Sequence, residues 1–264
     1  MPEGDTVFRT ARRLDDALAG ATVTRFDLRV PRLATADLSG AAIHDVVSRG
    51  KHILHRIGGD TLRTHLKMEG RWHIHRPGER WPRPAHTARV VIEATAPDGA
   101  RWETVGFDVA DVALVPTADE DELIGHLGPD PLGDGWDPAE AARRLRADDR
   151  PVHVALQDQR NVAGFGNEYV NEILFVRGLD PSTPAADVDT AALVDVGARM
   201  IRANRDRAHR TFTGDARRGF TTWVYRRENR PCRRCGTPIR SGSLGADPTR
   251  ERIVFWCPRC QSPS

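Results

Sequence analysis

The sequence predicts an α+β protein: an N-terminal helix on an antiparallel β-sandwich, a linker, a helical domain and a metal-bound β-hairpin. Three observations predict it. Apolar spacing is helical at the start, switches to short alternating runs, and becomes helical again beyond residue 138. A Gly-, Pro- and Asp-dense segment separates the two regimes. All four cysteines fall in the last 35 residues, as two Cys-x2-Cys pairs.

The elements follow in chain order. Val7, Ala11, Leu14 and Leu18 make one apolar helical face, with Asp5 or Thr6 as the expected cap and Gly20 as the stop. Phe26, Leu28 and Val30 then alternate with polar residues, and strand-like runs follow at HDVVS, HILHRI, TLRTHLKM, TARVVIEA and DVALV. Gly58-Gly59, Pro77-Gly78 and Pro97-Asp98-Gly99 punctuate them as turns. Short strands with regular turns argue for a sandwich or barrel. LGPDPLGDGWDP reads as a linker, followed by helical patterns in PAEAARRLRA, VHVALQD, NEYVNEILFVRG and AALVDVGARMIRANR. The expected divisions are residues 1–125, a linker at 126–138, a helical domain at 139–228 and a hairpin at 229–264.

Composition narrows the function classes. No apolar run approaches the roughly 20 residues that span a bilayer, and MPEGDTVFRT lacks the apolar segment of a secretory signal. The expected compartment is the cytoplasm. The net charge of +2 conceals an asymmetry: residues 199–264 carry 16 Arg against 5 Asp or Glu, while residues 1–198 carry 23 basic against 32 acidic groups. Such a basic region points to a polyanionic partner, most often nucleic acid, the alternative being a solvated Arg-rich surface. Of 39 basic residues only Lys51 and Lys67 are lysine. Where arginine serves as the generic cation, a surviving lysine suggests a need for a compact ammonium that the planar guanidinium cannot supply.

Cys232, Cys235, Cys257 and Cys260 form two knuckles, CRRCG and CPRCQ, separated by 21 residues. Four soft ligands in this arrangement suit one structural Zn²⁺, with no open position for chemistry; disulfide or redox roles are the alternative. Arg252 lies in the run RIVFWC, where a hairpin would hold it on a strand next to the tip.

The start Met1-Pro2-Glu3-Gly4 carries its own chemistry. A small second residue permits removal of the initiator methionine, which would expose the secondary amine of Pro2. An α-amino group has a pKa near 8, so about a tenth is neutral at pH 7. Attack on C1′ of a sugar would give an iminium that acidifies the C2′ proton and favours loss of the 3′ phosphate. Glu3 could move protons during attack and ring opening. Taken alone, Pro after Met is common and the pair could be accidental.

MPEGDTV, SRGKHIL (Ser48–Leu54), THLKMEGRW (Thr64–Trp72), HLGPDPL (His126–Leu132), DQRNVAGFGNEYVNEILF (Asp158–Phe175) and FWCPRCQ occur in this order. Together they resemble the formamidopyrimidine-DNA glycosylase and endonuclease VIII family over nearly the whole chain. MPEGDTV is more similar to the endonuclease VIII branch, which favours oxidised pyrimidines. The resemblance implies a bifunctional DNA glycosylase and abasic-site lyase of base excision repair. Pro2 would be the Schiff-base nucleophile, Glu3 the adjacent general acid, and Lys51 a phosphate contact that assists β-elimination. Arg252 would grip phosphate and assist δ-elimination, and Asn167 would bind phosphate at the turn of a helix–two-turns–helix. Gly164 and Gly166 would let backbone N–H groups approach that phosphate. Met68 is the expected wedge into the gap left by an extruded base, with core packing as the alternative; Lys67 and His126 are further candidate DNA contacts.

Three departures from the family pattern bear on this. The gap between the thiolate pairs is longer than usual, which leaves the hairpin tip and the reach of Arg252 open. Lys67-Met68-Glu69 replaces a polar–apolar–aromatic trio. TVGFDVADV stands where the purine branch has an Asp-Pro-Arg-Arg-Phe-Gly-like loop, which leaves opposite-base recognition open. The expected partner is damaged DNA in a basic cleft, duplex with single-stranded and bubble forms open. The protein is expected to be a monomer, nucleoid-associated, with one structural zinc and no other cofactor. A lyase with little glycosylase activity and a non-catalytic zinc-hairpin DNA-binding protein remain as alternatives.

Overall fold

The computed structural model describes residues 2–245 and 251–262. The chain divides into two compact units, Met1–His126 and Leu127–Ser264.

The first unit opens with α1 (Gly4–Leu18), whose apolar face buries Val7, Ala11, Leu14 and Leu18. The expected cap is displaced. Asp5 and Thr6 lie inside the helix, because extended Glu3 already supplies the carbonyl that accepts from the N–H groups of Thr6 and Val7, at 2.9 and 3.0 Å. Gly20, at φ +76°, turns the chain away as read.

Eight strands follow: β1 (Thr22–Leu28), β2 (Ile43–Arg49), β3 (His52–Ile57), β4 (Asp60–His65), β5 (Arg71–His75), β6 (Ala88–Thr95), β7 (Arg101–Phe107) and β8 (Ala110–Pro116). They form two four-stranded antiparallel sheets, ordered β1-β6-β7-β5 and β2-β3-β4-β8. Val23, Phe26, Val90 and Ile92 of one sheet share a buried core with Ile43, Val46, Ile53 and Leu62 of the other and with α1. The helix is pinned to β2 where Asp15 Oδ1 accepts from the Val46 N–H at 2.7 Å. β5 and β7 escaped the sequence reading. β7 is buried on both faces from Glu103 to Phe107, so it lacks the alternation that marks a half-buried strand.

The second unit contains α2's successors: after the short α2 (Asp121–Ile124) that ends the first unit come α3 (Pro138–Arg146), α4 (Val152–Gln157), α5 (Asn167–Arg177) and α6 (Thr190–Asn204). Asp137 caps α3 by accepting from Ala139 and Glu140, with Pro138 in the first turn. Gly197 of α6 is required by packing: a Cβ there would meet the Phe165 ring at 2.6 Å. The segment read as a linker differs from that expectation at its start. Leu127 to Pro131 is buried, and Gly128 N–H donates to the Gln159 carbonyl at 2.8 Å. A Cβ on Gly128 would come within 2.5 Å of the Arg160 carbonyl oxygen, so this stretch is packed into the helical unit. The chain ends in the hairpin of β9 (Arg240–Leu244) and β10 (Arg252–Trp256).

Candidate functional site

The four cysteines are brought together. Their Sγ atoms all lie within 4.8 Å of one another, with Cys232–Cys260 at 3.9 Å and Cys235–Cys257 at 3.4 Å. Disulfide contact needs about 2.05 Å, and all four are free thiols. Four thiolates about 2.3 Å from one tetrahedral ion would stand roughly 3.8 Å apart, so the donor set fits a single metal ion. Each knuckle is closed locally: Gly236, at φ +77°, donates to the Cys232 carbonyl, and Gln261 both donates to the Cys257 carbonyl and accepts from the Cys257 N–H.

In the first unit, Pro2 is half-buried and Glu3 fully buried at the head of α1. α1 packs on β2 and β3. Arg49 pairs with His52, so Gly50 and Lys51 form a two-residue turn, with Gly50 at φ +59°. The helix start and the lysine turn therefore belong to one packed assembly. Beside it stand two histidines that the sequence reading passed over. His52 and His65 meet edge to face with ring centroids 5.0 Å apart. Burial, followed by the nearby charges of Lys67 and Lys51, holds His65 down at about 4, and burial holds His52 at about 3. Both imidazoles are neutral near pH 7, so their ring nitrogens add no charge beside the lysines.

The turn after β4 presents Met68, which is 56% exposed; core packing is excluded for it. Lys67 adopts left-handed backbone, φ 49°, and its Nζ lies 3.1 Å from Asp111 Oδ2. Arg83 donates to the Glu69 carbonyl at 3.0 Å and pairs with Asp108 at 3.1 Å. Asp108, at φ 50°, and Val109 make the tight connection from β7 to β8 within the TVGFDVADV stretch, and Asp111, also at φ 50°, is the second residue of β8. Gly70 is required here, since a Cβ would lie 2.4 Å from the Leu66 carbonyl oxygen. His126 is exposed at the end of the first unit.

In the second unit, α4, two turns and α5 make the helix–two-turns–helix. Gly164 takes φ +97° and Gly166 is the extended residue before Asn167. Gln159 ties the loop by donating to the carbonyls of Gln157 and Phe165 and accepting from the Gly164 N–H. Asn167 is only 7% exposed; its Nδ2 donates to the Ile253 carbonyl at 2.8 Å, and its Oδ1 lies 3.1 Å from Nε2 of buried His153. Arg252, exposed, pairs with Leu244 as the last rung before the hairpin tip; the tip itself, 246–250, lies outside the described residues.

Glu172 is a further residue that sequence reasoning missed. It is fully buried and accepts from the backbone N–H groups of Trp223, Val224 and Tyr225 at 2.7–3.0 Å. Burial pushes its carboxyl up to about 7 against the pull of those three donors. The segment it anchors walls a cavity of about 630 Å³ lined by Glu168, Phe220, Tyr225, Arg226, Arg230 and Arg233. Arg233 is stacked on Phe220, and Glu168 is held by Arg210 at 2.7 Å.

Residues 1–106 match the formamidopyrimidine-DNA glycosylase N-terminal domain, and residues 127–202 match the formamidopyrimidine-DNA glycosylase H2TH domain. The chain is 48% identical to a Streptomyces coelicolor protein named probable endonuclease 8 2, covering 99% of this chain and 94% of that one. The chain belongs to the formamidopyrimidine-DNA glycosylase and endonuclease VIII family. A Mycolicibacterium smegmatis relative named DNA-(apurinic or apyrimidinic site) lyase Nei2 is 46% identical over the full length of both chains. Among solved structures, Lactococcus lactis Fpg in complex with abasic-site DNA shares the fold, with a TM-score of 0.78 at 21% identity over 99% of this chain and 100% of that one. The glycosylase N-terminal domain match ends inside β7 and the H2TH match begins at Leu127 and ends within α6, so the two matches take in α1 with seven of the eight strands of the sandwich and the Asn167 turn. No helix among the described residues is long and apolar enough to cross a membrane.

Proposed function

We propose that the chain is a bifunctional DNA glycosylase and abasic-site lyase of base excision repair, acting as a monomer on damaged DNA and excising oxidised pyrimidines. The observation that carries this reading is the Pro2–Glu3 pair at the head of α1, in a chain 46% identical along its whole length to a protein named an abasic-site lyase.

Removal of Met1 frees the Pro2 amine. The target nucleotide is extruded, at a cost of a few kcal/mol that is least for damaged bases. The nitrogen lone pair forms a bond to C1′ as the glycosidic bond breaks; the base leaves with the electron pair of the broken bond and takes up the proton that the Pro2 nitrogen gives up. Glu3 donates a proton to the sugar ring oxygen as the ring opens, giving the iminium between Pro2 and C1′. Loss of the C2′ proton expels the 3′ phosphate, and a second elimination expels the 5′ phosphate. A one-nucleotide gap with phosphate at both ends remains. Lys51 and Arg252 supply cations at the departing phosphates, Asn167 donates to a neighbouring phosphate, and Lys67 and His126 lie at the DNA-facing periphery. Met68 fills the gap in the stack. The four cysteines hold one Zn²⁺ that stabilises the hairpin carrying Arg252.

Borohydride trapping tests this on abasic and oxidised-pyrimidine oligonucleotides. A covalent adduct on both, lost in Pro2→Gly and when the N-terminus is blocked, supports the bifunctional reading. Absence of an adduct on either substrate with zinc-loaded, Met-processed protein would sink it. A second reading, a lyase without glycosylase activity, is favoured by the name of the Mycolicibacterium relative; adduct formation on abasic DNA alone would select it.

A further inference from the structure

Asn167 and Asn171 sit one helical turn apart on α5, which packs against β10. They engage the edge of β10 that β9 leaves uncovered. Asn171 Oδ1 accepts from the Phe255 N–H at 2.6 Å, and Asn167 Nδ2 donates to the Ile253 carbonyl at 2.8 Å. Two side-chain amides thus take the place of a neighbouring strand and satisfy backbone groups two residues apart.

The orientation of each group follows from those two backbone contacts. The Phe255 N–H can only donate, so the Asn171 oxygen faces it and the Asn171 Nδ2 points back to Asn167, reaching its carbonyl at 2.6 Å and its Oδ1 at 3.1 Å. The Ile253 carbonyl can only accept, so the Asn167 Nδ2 faces it and the Asn167 Oδ1 must accept. The His153 Nε2 at 3.1 Å from that Oδ1 is therefore the protonated nitrogen. Its Nδ1 is left as an acceptor, and Gln157 Nε2 packs against the ring at 3.2 Å from both of its nitrogens. His153 and Asn171 are fully buried, so neither has water as an alternative partner.

We propose that His153 is a positioning residue for the phosphate contact of Asn167, and that Asn167 and Asn171 latch the cysteine hairpin to α5. The inference rests on the reading of Asn167 given under Proposed function. One Nδ2 hydrogen of Asn167 is held by Ile253, and the second is left to donate to a phosphate oxygen. Three contacts hold the amide in this orientation, to the Ile253 carbonyl, the Asn171 Nδ2 and the His153 Nε2, and losing the histidine donor loosens it toward the rotated form, which presents its oxygen to an anion. The latch also joins Arg252, adjacent to Ile253, to the helix that carries Asn167, so both phosphate ligands reach DNA as one unit.

The test is a double-mutant cycle on the full, zinc-loaded chain. Binding to a duplex containing a tetrahydrofuran abasic analogue is measured by anisotropy across a salt series. Asn167→Ala and His153→Leu are each expected to weaken binding about tenfold, the size of one lost hydrogen bond to a charged group. The salt slope should stay at the wild-type value, because neither the Asn167 amide nor the neutral, buried His153 neutralises a phosphate. The double variant should be no weaker than Asn167→Ala alone, since the histidine acts through the asparagine. Wild-type binding by His153→Leu, or losses that simply multiply, would overturn the inference. If His153→Leu does not fold, Gln157→Ala replaces it in the cycle, with a smaller loss and the same lack of additivity expected. Failure of the wild-type chain to bind the duplex would instead overturn the functional reading.

Discussion

Asp111, at the start of β8, grips Lys67 in the turn after β4, Oδ2 to Nζ at 3.1 Å, and both residues sit in left-handed backbone at φ 50° and 49°. Left-handed non-glycine residues carry a conformational cost and persist where the surroundings hold them. Here they flank Met68, whose other side is tied by Arg83 to the Glu69 carbonyl and to Asp108. The pairing accounts for an acidic residue beside the turn proposed to face DNA: the charge of Asp111 is matched by Lys67. It also makes Lys67 a brace for Met68 in the unbound protein.

A single exposed apolar side chain on a braced turn should matter where there is a stack to enter. Met68→Ala is expected to slow excision from duplex about tenfold or more, while single-stranded DNA is cut within about twofold of wild type. Asp111→Ala should reproduce the duplex defect in weaker form. Its effect on stability should stay below about 1 kcal/mol, because the pair is half exposed. Single-turnover rates on matched duplex and single-stranded oligonucleotides separate these effects; equal loss on both would remove Met68 from the role of wedge.

Lys51 lies in a two-residue turn among 37 arginines that could have supplied a positive charge. Lys51→Arg keeps the charge and replaces a compact ammonium with a planar fork. The expectation is binding within about twofold of wild type and strand cleavage at an abasic site slowed about tenfold or more. Measuring both on one substrate is decisive: a variant that cleaves normally would reduce the lysine to a generic cation.

Much of this was legible in sequence because it is local. The apolar stripe of α1 lies within 15 residues, and each cysteine knuckle within four. Strand β7 was illegible because burial on both faces erases alternation. The site was legible as a set of candidate residues, without their partners. Asn167 finds Ile253 across 86 positions, and Glu172 finds Trp223 across 51; no spacing rule connects such pairs. Asp108 and Asp111 gave no signal either, since their left-handed backbone would have been expected of glycine.

The buried histidines of the first unit set an acid limit on its stability. His55 is fully buried beside Trp72, and burial holds it at about 3, with His52 at about 3 and His65 at about 4. A histidine depressed on folding contributes stability that is full above its unfolded pKa of about 6.5 and is lost as pH falls toward the folded value. Each such group adds a slope of about 1.4 kcal/mol per pH unit in that window. Denaturant midpoints taken from pH 7 to pH 4.5 should therefore fall, and His55→Phe should flatten the slope by one proton. Glu172 works in the opposite sense in the second unit: its carboxyl is pushed up to about 7, so its share of stability declines as pH rises from about 4.5 to 7. Following hydrogen exchange in β3 and β4 isolates the histidine slope; a midpoint flat across this range would contradict neutral burial.

Removing the metal should uncouple the hairpin from α5 and leave the sandwich standing. The hairpin core is small, built on Phe175, Val224, Ile239, Phe255 and the buried Cys232 and Cys257, and such modules draw much of their folding energy from the ion. With the thiolates released, β10 loses its fixed place, and the Ile253 carbonyl and Phe255 N–H no longer meet Asn167 and Asn171. Chelation is therefore expected to release one zinc per chain and to abolish high-affinity DNA binding. The midpoint of the sandwich, followed through β3 and β4, should not move, because its core is formed by α1 and its own two sheets. Cys257→Ser should behave as the chelated protein does, since Cys257 is wholly buried and its N–H is already committed to Gln261. Retained binding after stoichiometric zinc loss would mean that α5 alone holds the hairpin, and the latch rather than the metal would then be the element that presents Arg252.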